Sequence, residues 1–225
     1  MRYIYILSAI LILSSCGSIG IKKEVFSVDL NSRQIPIGTV EIQLNKFLSI
    51  GGLKKIDAEV IYFPNENAVC LKYRHEFNTV HFFWSYVGRQ ALIDGLKRYN
   101  ESYDARSLST RGKKTIKEYG TVLGYIYWQM ASFTILSRGN ADVNIGYQFK
   151  NRSPYFTILQ GKAEYRSRDV DESTRTSASV TMYFTRAQAK ELAALFDQEL
   201  LTSIAAPPTT RIDNLPPPDA NRDYY

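Results

Sequence analysis

The sequence is poor in the residues on which most nucleophilic and metal chemistry depends. It contains two histidines, His75 and His81, and two cysteines, Cys16 and Cys70. Two histidines without clustered carboxylates or thiols are too few for a zinc site. A GxSxG motif, a glycine loop that cradles phosphate and an HExxH motif are also missing. We therefore expect no metal and no cofactor, and enzymatic function has no positive support.

An envelope hydrolase that uses Cys70 or a carboxylate pair is the enzymatic alternative. A cysteine nucleophile requires a base within hydrogen-bond reach, and histidine is the usual one. Positions five apart on a strand point to opposite faces, so Cys70 and His75 diverge unless a bulge lies between them. His81 lies in the neighbouring predicted strand and could approach Cys70 across the hairpin. This alternative therefore stays open on sequence alone.

The first residues of the chain predict export. Arg2 is followed by an apolar run over residues 3–13 and then by small residues up to Cys16. This arrangement is typical of a secretory segment and is short for a membrane span. The stretch LSSC at residues 13–16 resembles the lipobox of bacterial lipoproteins. The resemblance implies that a peptidase cleaves before Cys16 and that diacylglycerol is attached to its sulfur.

Lipidation at Cys16 would anchor the protein to a membrane of the cell envelope. Each buried methylene contributes about 0.8 kcal/mol, so several acyl chains hold a protein almost permanently. Gly17 stands where an aspartate tends to retain proteobacterial lipoproteins in the inner membrane, so the resemblance favours the outer membrane. Cys70 is then the single remaining cysteine, and no intramolecular disulfide can form.

Period-two alternation predicts a fold rich in strands. Apolar and polar residues alternate over residues 39–48, which is the pattern of a half-buried strand. Further strand patterns precede two predicted helices, one over residues 85–103 and one that begins at Thr185, where Gln188 completes a capping-box pattern. We therefore predict an α+β fold of two ββββα halves, twisted antiparallel sheets each followed by a helix.

The predicted halves are flanked and separated by segments of different composition. Residues 105–118 are polar and basic, and residues 204–225 are rich in proline, which is typical of a disordered tail. The predicted organisation is a signal peptide at 1–15, a lipidated tether at 16–36, a first half at 37–104, a basic connector at 105–118, a second half at 119–203 and a disordered tail at 204–225.

The two predicted halves look alike where strand meets helix. Ser85 precedes the first helix and Thr185 the second, and Leu92 and Leu192 follow them at the same offset, which indicates a ββββα repeat. The order of elements is similar to that of the PUR and Whirly nucleic-acid-binding families. The similarity is one of topology and transfers no residue. Nucleic-acid binding, which it would imply, conflicts with export.

Two groups of residues are candidates for binding. Within the basic connector, the cations that could meet an anionic surface are Arg111, Lys113, Lys114 and Lys117. In the aromatic second half, the residues that could stack on sugars or peptides are Tyr125, Tyr127, Trp128 and Tyr147. Aromatic side chains also suit the faces of strands, so packing within the fold is the competing explanation for the second group.

These patterns together predict a non-enzymatic lipoprotein that binds or organises another component of the cell envelope. Its net charge of +6 at pH 7 favours acidic partners such as lipid headgroups or anionic glycans. Another envelope protein is the further candidate partner. No nucleic acid is expected, because the chain is exported.

Overall fold

Strands make up most of the regular structure. The computed structural model describes residues 26–45, 52–110, 113–130, 137–165 and 175–206. Its strands are β1 (Ile35–Asn45), β2 (Leu53–Phe63), β3 (Ala68–His75), β4 (Asn78–Trp84), β5 (Gly120–Met130), β6 (Ser137–Lys150), β7 (Ser153–Gln160), β8 (Glu164–Tyr165), β9 (Arg175–Thr176) and β10 (Val180–Phe184). Its helices are α1 (Tyr86–Asp104), α2 (Arg186–Leu195) and α3 (Gln198–Ala205), with short 3-10 helices at Pro64–Glu66 and Lys113–Lys117.

Eight strands form one closed antiparallel barrel, in the order β1-β10-β7-β6-β5-β4-β3-β2. Most neighbours are joined along long ladders, such as the one that pairs β1 with β2 from Ile35↔Tyr62 to Asn45↔Leu53. The closing seam is much shorter, because β1 and β10 share only the register pairs Gln43↔Tyr183 and Leu44↔Met182. The barrel is therefore held together unevenly around its circumference.

The barrel interior is filled by the apolar faces of the strands and helices. Val40, Ile42 and Leu44 of β1 are buried, as the alternation over residues 39–48 predicts. Both Leu92 of α1 and Leu192 of α2 belong to the same core cluster as these strand residues. The two helices thus bury their apolar stripes in the same core as the barrel strands. The burial of this apolar surface contributes most of the free energy that stabilises the packed helices.

A second, smaller cluster lies on the outer face of the sheet. Cys70, Phe83, Tyr125 and Tyr127 are buried there, and Val28 packs over them. The Tyr127 hydroxyl donates a hydrogen bond of 2.7 Å to the Val28 carbonyl oxygen. The start of the described chain is thereby fastened across an aromatic surface that would otherwise face water. We call this set of residues the outer cluster.

The predicted α+β fold of two ββββα halves is wrong. β4 pairs with β5 from Phe83↔Tyr125 to Asn78↔Met130, so the sheet runs on across the expected boundary. Within the described residues, four strands precede α1, but six lie between α1 and α2. The alternation of apolar and polar residues determines which face of a strand is buried, but it does not specify which other strand pairs with it. Here the apolar faces of β4 and β5 meet in one core, and two separate sheets do not form.

The helices agree with their predicted starts and differ at the end. Thr185 and Gln188 make both hydrogen bonds of a capping box, so that prediction is confirmed. The second predicted helix ends at Leu195 with Phe196 as its C-cap, and Asp197 caps a new helix by accepting from the backbone N–H groups of Glu199 and Leu200. The Phe196 carbonyl at this break accepts a hydrogen bond from Arg89.

Candidate functional site

A cleft of about 620 Å³ lies beside the C-terminal end of α1. Its size falls within the roughly 300–1,000 Å³ that small-molecule sites occupy. We call it the α1 cleft, and its lining residues are Tyr103, Asp104, Arg106, Leu108, Thr110, Phe149 and Pro154. The lining therefore combines residues from the first predicted half, the basic connector and the second predicted half.

Two changes of chain direction bring these residues together. After α1, Arg106 adopts a positive φ of 52° and its backbone N–H bonds to the Tyr103 carbonyl, which turns the chain away from the helix axis. Across the cleft, Asn151 and Arg152 both have positive φ and turn β6 into β7. The Tyr99 hydroxyl donates a hydrogen bond of 3.1 Å to the Pro154 carbonyl, which joins α1 to that turn.

The charges around the α1 cleft do not cancel. Arg186 forms a bidentate pair with Asp104, with hydrogen bonds of 2.7 and 2.6 Å. The hydrogen bond from Arg186 lowers the pKa of the Asp104 carboxyl below its usual value. The exposed Arg106 forms no ion pair with any described residue. The Asp104 charge is thus compensated by Arg186, while the Arg106 charge remains available to a ligand.

The other walls of the α1 cleft are apolar. Leu108, Phe149 and Pro154 are half-buried, and Tyr103 is 39% exposed. The Arg186 guanidinium lies 4.9 Å from the centre of the Tyr103 ring, which holds the ring in place. An aromatic wall beside a free cation suits a ring that has an apolar face to stack on the aromatic side chains and that carries an acidic group. The described lining contains neither thiol nor imidazole.

The aromatic residues predicted to bind are all buried. Tyr125 and Tyr127 belong to the outer cluster, and the Phe26 and Tyr125 rings lie 6.0 Å apart. Burial, together with the neighbouring Tyr127, raises the pKa of Tyr125 to about 12. Trp128 and Tyr147 lie in the barrel core. The structure thus places these four rings in packing roles, whereas Tyr103 of the α1 cleft is an exposed aromatic side chain, as are Phe77 and Tyr86 elsewhere on the surface.

The basic connector is fastened to the barrel. Its 3-10 helix, Lys113–Lys117, lies against β6 so closely that a Cβ at Gly146 would overlap the backbone of Thr115 and Ile116. The Ser109 N–H donates to the Tyr147 hydroxyl at 3.0 Å. Among the predicted surface cations, Lys117 is exposed, whereas Arg111 and the side chains of Lys113 and Lys114 lie outside the described residues.

The candidate nucleophile lies in the outer cluster. Cys70 is fully buried, and burial raises the pKa of its thiol. It faces Phe83 across the β3–β4 ladder, whereas His81 faces Lys72. In the described part of the chain, no group of three or more potential ligands could hold a metal ion. Cys70 therefore has the environment of a packing residue.

Sequence reasoning missed two features that the structure brings forward. Arg89 is a charged residue of the first predicted helix, yet it is fully buried. Its position three residues before the apolar Leu92, which places both on neighbouring parts of the helix surface, was the available signal. The convergence of Tyr103, Arg106 and Phe149 had no local signal, because it depends on how α1 meets the turn between β6 and β7. The predicted lipidation residue, Cys16, lies outside the described residues.

Among the described residues, no helix has the length and apolar character needed to cross a membrane. A family model described as an uncharacterised Treponema protein matches residues 22–203. Comparison with the curated proteins and with the solved structures finds no match. The similarity of topology to the PUR and Whirly families therefore receives no support from the comparisons.

Proposed function

The chain belongs to the family of uncharacterised Treponema proteins, and we propose that it is a non-enzymatic binding module of the cell envelope. Its anchor is a lipid on Cys16, and its ligand is an acidic saccharide of the envelope, bound in the α1 cleft. The observation that carries this proposal is the unpaired Arg106 beside the exposed ring of Tyr103.

The chemistry of the α1 cleft favours an acidic sugar over a neutral one. Stacking of a pyranose face on Tyr103 and Phe149 buries apolar C–H groups but discriminates little between sugars. A carboxylate on the same ring would accept charge-assisted hydrogen bonds from Arg106, which are stronger than neutral ones. Because Asp104 already pairs with Arg186, it offers the ligand little repulsion.

The lipid anchor would place this cleft in a compartment rich in such ligands. The stretch LSSC at residues 13–16 supports the anchor, and Gly17 supports the outer membrane as its destination. The mildly basic chain, with net charge +6 at pH 7, is consistent with acidic partners around it. An anchored protein also samples its ligand at high local concentration, so modest affinity suffices.

The proposal is tested with a uronic acid trisaccharide and its methyl ester as matched probes. Calorimetric titration of the full chain in detergent should detect binding of the acid and little binding of the ester. Arg106→Gln should weaken binding of the acid by at least about tenfold, the loss of one or two charge-assisted hydrogen bonds. Equal affinity for acid and ester would show that no acidic group is recognised.

Arg152→Gln is the control. Arg152 is exposed and has a positive φ of 69°, close to that of Arg106, but it does not line the α1 cleft. The Arg152→Gln variant should bind the acid as tightly as the wild type does. If the two variants lose affinity equally, the sugar is attracted by the general charge of this end of the molecule, and the α1 cleft is not its site.

A further inference from the structure

The barrel splits open between β2 and β3. Their ladder runs from Phe63↔Ala68 to Glu59↔Lys72 and ends there, although β2 extends back to Leu53 and β3 continues to His75. A cleft of about 550 Å³ lies between the diverging ends, and its lining includes Ile56, Asp57, Tyr73 and Arg74. We call this opening the β2–β3 fork.

Both walls of the β2–β3 fork are strand edges. Residues 53–58 of β2 pair with β1 on their other side, and residues 73–75 of β3 pair with β4. In each strand, every second residue therefore directs its backbone N–H and C=O groups into the opening. Unpaired strand edges are templates for a further strand, and here two of them face one space.

The short seam between β1 and β10 does not offer unpaired strand edges of this kind. Between β1 and β10, α2 lies against the sheet, and its Gln188 side chain bonds to Glu41 and Gln43 of β1. A Cβ at Gly38 would lie 3.2 Å from the Leu195 side chain, so the helix sits directly on this strand. The lining of the β2–β3 fork, by contrast, comes from β2, β3, β4 and the turn between β3 and β4 within the described residues.

We propose that the β2–β3 fork binds an extended segment of a partner protein as an added strand. Backbone hydrogen bonds to the two edges would give affinity, and alternate side chains would give specificity. Residues of one parity would face Tyr73 and Ile56, which belong to or pack against the barrel core. Residues of the other parity would face the outer side, where Lys72 pairs with Glu59 at 2.9 Å.

The charges that line the β2–β3 fork indicate that the bound segment carries both basic and acidic residues. Its lining carries three cations, Lys54, Lys72 and Arg74, and three anions, Asp57, Glu59 and Glu76. Such a balanced surface neither steers nor repels a ligand of one sign. It differs in this respect from the α1 cleft, so a polyanionic glycan is a poor occupant. The occupant that fits is a peptide in which apolar residues alternate with residues of mixed charge.

Hydrogen exchange on the full wild-type chain tests the proposal. The probe is a peptide of about six residues, the length of an average strand, in which valine alternates with lysine, glutamate and threonine. Its twin carries N-methyl groups on the backbone amides and cannot form a ladder. We expect the first peptide to slow amide exchange within residues 53–58 and 73–75, and the twin to bind at least about tenfold more weakly because two or more hydrogen bonds are lost.

Two variants extend the test to the side chains. Ile56→Lys places a charge where an apolar residue of the peptide would lie and should abolish binding, whereas Ala187→Lys, at an exposed position of α2 outside the lining of the fork, should not affect it. Protection of other segments alone, or equal binding of the N-methylated twin, overturns the proposal. It is also overturned if sedimentation shows a dimer that the peptide dissociates, because the fork then joins two copies of this chain.

Discussion

The guanidinium of Arg89 donates a hydrogen bond of 2.9 Å to the main-chain carbonyl oxygen of Phe196, at the point where α2 ends. A second nitrogen of the same group donates to the Asn67 side chain at 2.7 Å and to Gln198 at 2.9 Å. The side chain is fully buried, and the acceptors that it bonds to within the described residues are neutral, among them the carbonyl at the negative end of the α2 dipole. The Asp197 carboxylate lies near enough to favour the charged form of the guanidinium. One side chain thus joins α1, the turn before β3 and the break between α2 and α3.

Arg89→Met should destabilise the protein by roughly 2–4 kcal/mol, because it removes the donor and leaves several buried acceptors without a partner. Urea denaturation followed by circular dichroism measures the effect. Lys97→Met, at an exposed position of the same helix, is the control and should stay within about 0.5 kcal/mol of the wild type. Equal stability of the two variants would mean that Arg89 does not join these elements.

Gly146→Ala should be among the most damaging single-methyl changes in the barrel. The added Cβ would meet backbone atoms of Thr115 and Ile116, which cannot rotate away as a side chain can. We expect a loss of about 1–3 kcal/mol or more from overpacking. Gly88→Ala is the matched control, because its Cβ would lie 3.4 Å from the Trp84 ring and alanine is the better helix former. A tolerated Gly146→Ala would show that the connector does not rest on β6.

Cys70 should react with a thiol reagent only when the fold opens. Its burial excludes the reagent and raises the pKa of the thiol, so little thiolate exists at neutral pH. In a Cys16→Ala background Cys70 is the sole cysteine, and its labelling rate should rise with urea in step with unfolding. Rapid labelling of the native protein would reopen the cysteine hydrolase hypothesis.

Cys16→Ala should abolish lipidation and release the protein from membranes. The wild type is expected to enter the detergent phase of a phase-separation experiment, and metabolic labelling with a palmitate analogue should mark it. The variant should carry no label and remain uncleaved or in the aqueous phase. A variant that still partitions like the wild type would contradict the lipid anchor.

The elements of this fold could largely be predicted, but their arrangement could not. The alternation of Val40, Ile42 and Leu44 locates β1 and its buried face, and the pair Thr185 and Gln188 locates the start of α2, since both are local patterns. The pairing of β4 with β5, and of β1 with β10, joins segments far apart in the chain. Nothing in the pattern of a single strand specifies its neighbour, so the barrel was not predicted.

For the candidate site as well, the residue types could be predicted from the sequence, but their arrangement could not. The cations of the basic connector and the aromatic residues of the second half were recognisable as residue types suited to acidic and stacking ligands, although Arg106 and Phe149 were not among the predicted binding residues. Their meeting beside Tyr103 depends on the end of α1 and the turn after β6. The predicted binding rings failed to reach the surface for a related reason, because an alternating aromatic strand such as β5 buries one face in the barrel core and the other in the outer cluster.

Mapping a uronic acid trisaccharide onto the protein by NMR tests the central claim most directly. Amide resonances of the isotope-labelled full chain in detergent are followed as the sugar is added. The account predicts that the shifts concentrate in residues 103–110 and 149–154, and that they disappear in Arg106→Gln. Shifts confined to other segments, such as the β2–β3 fork, or no shifts at all, would contradict the α1 cleft as the site of an acidic envelope ligand.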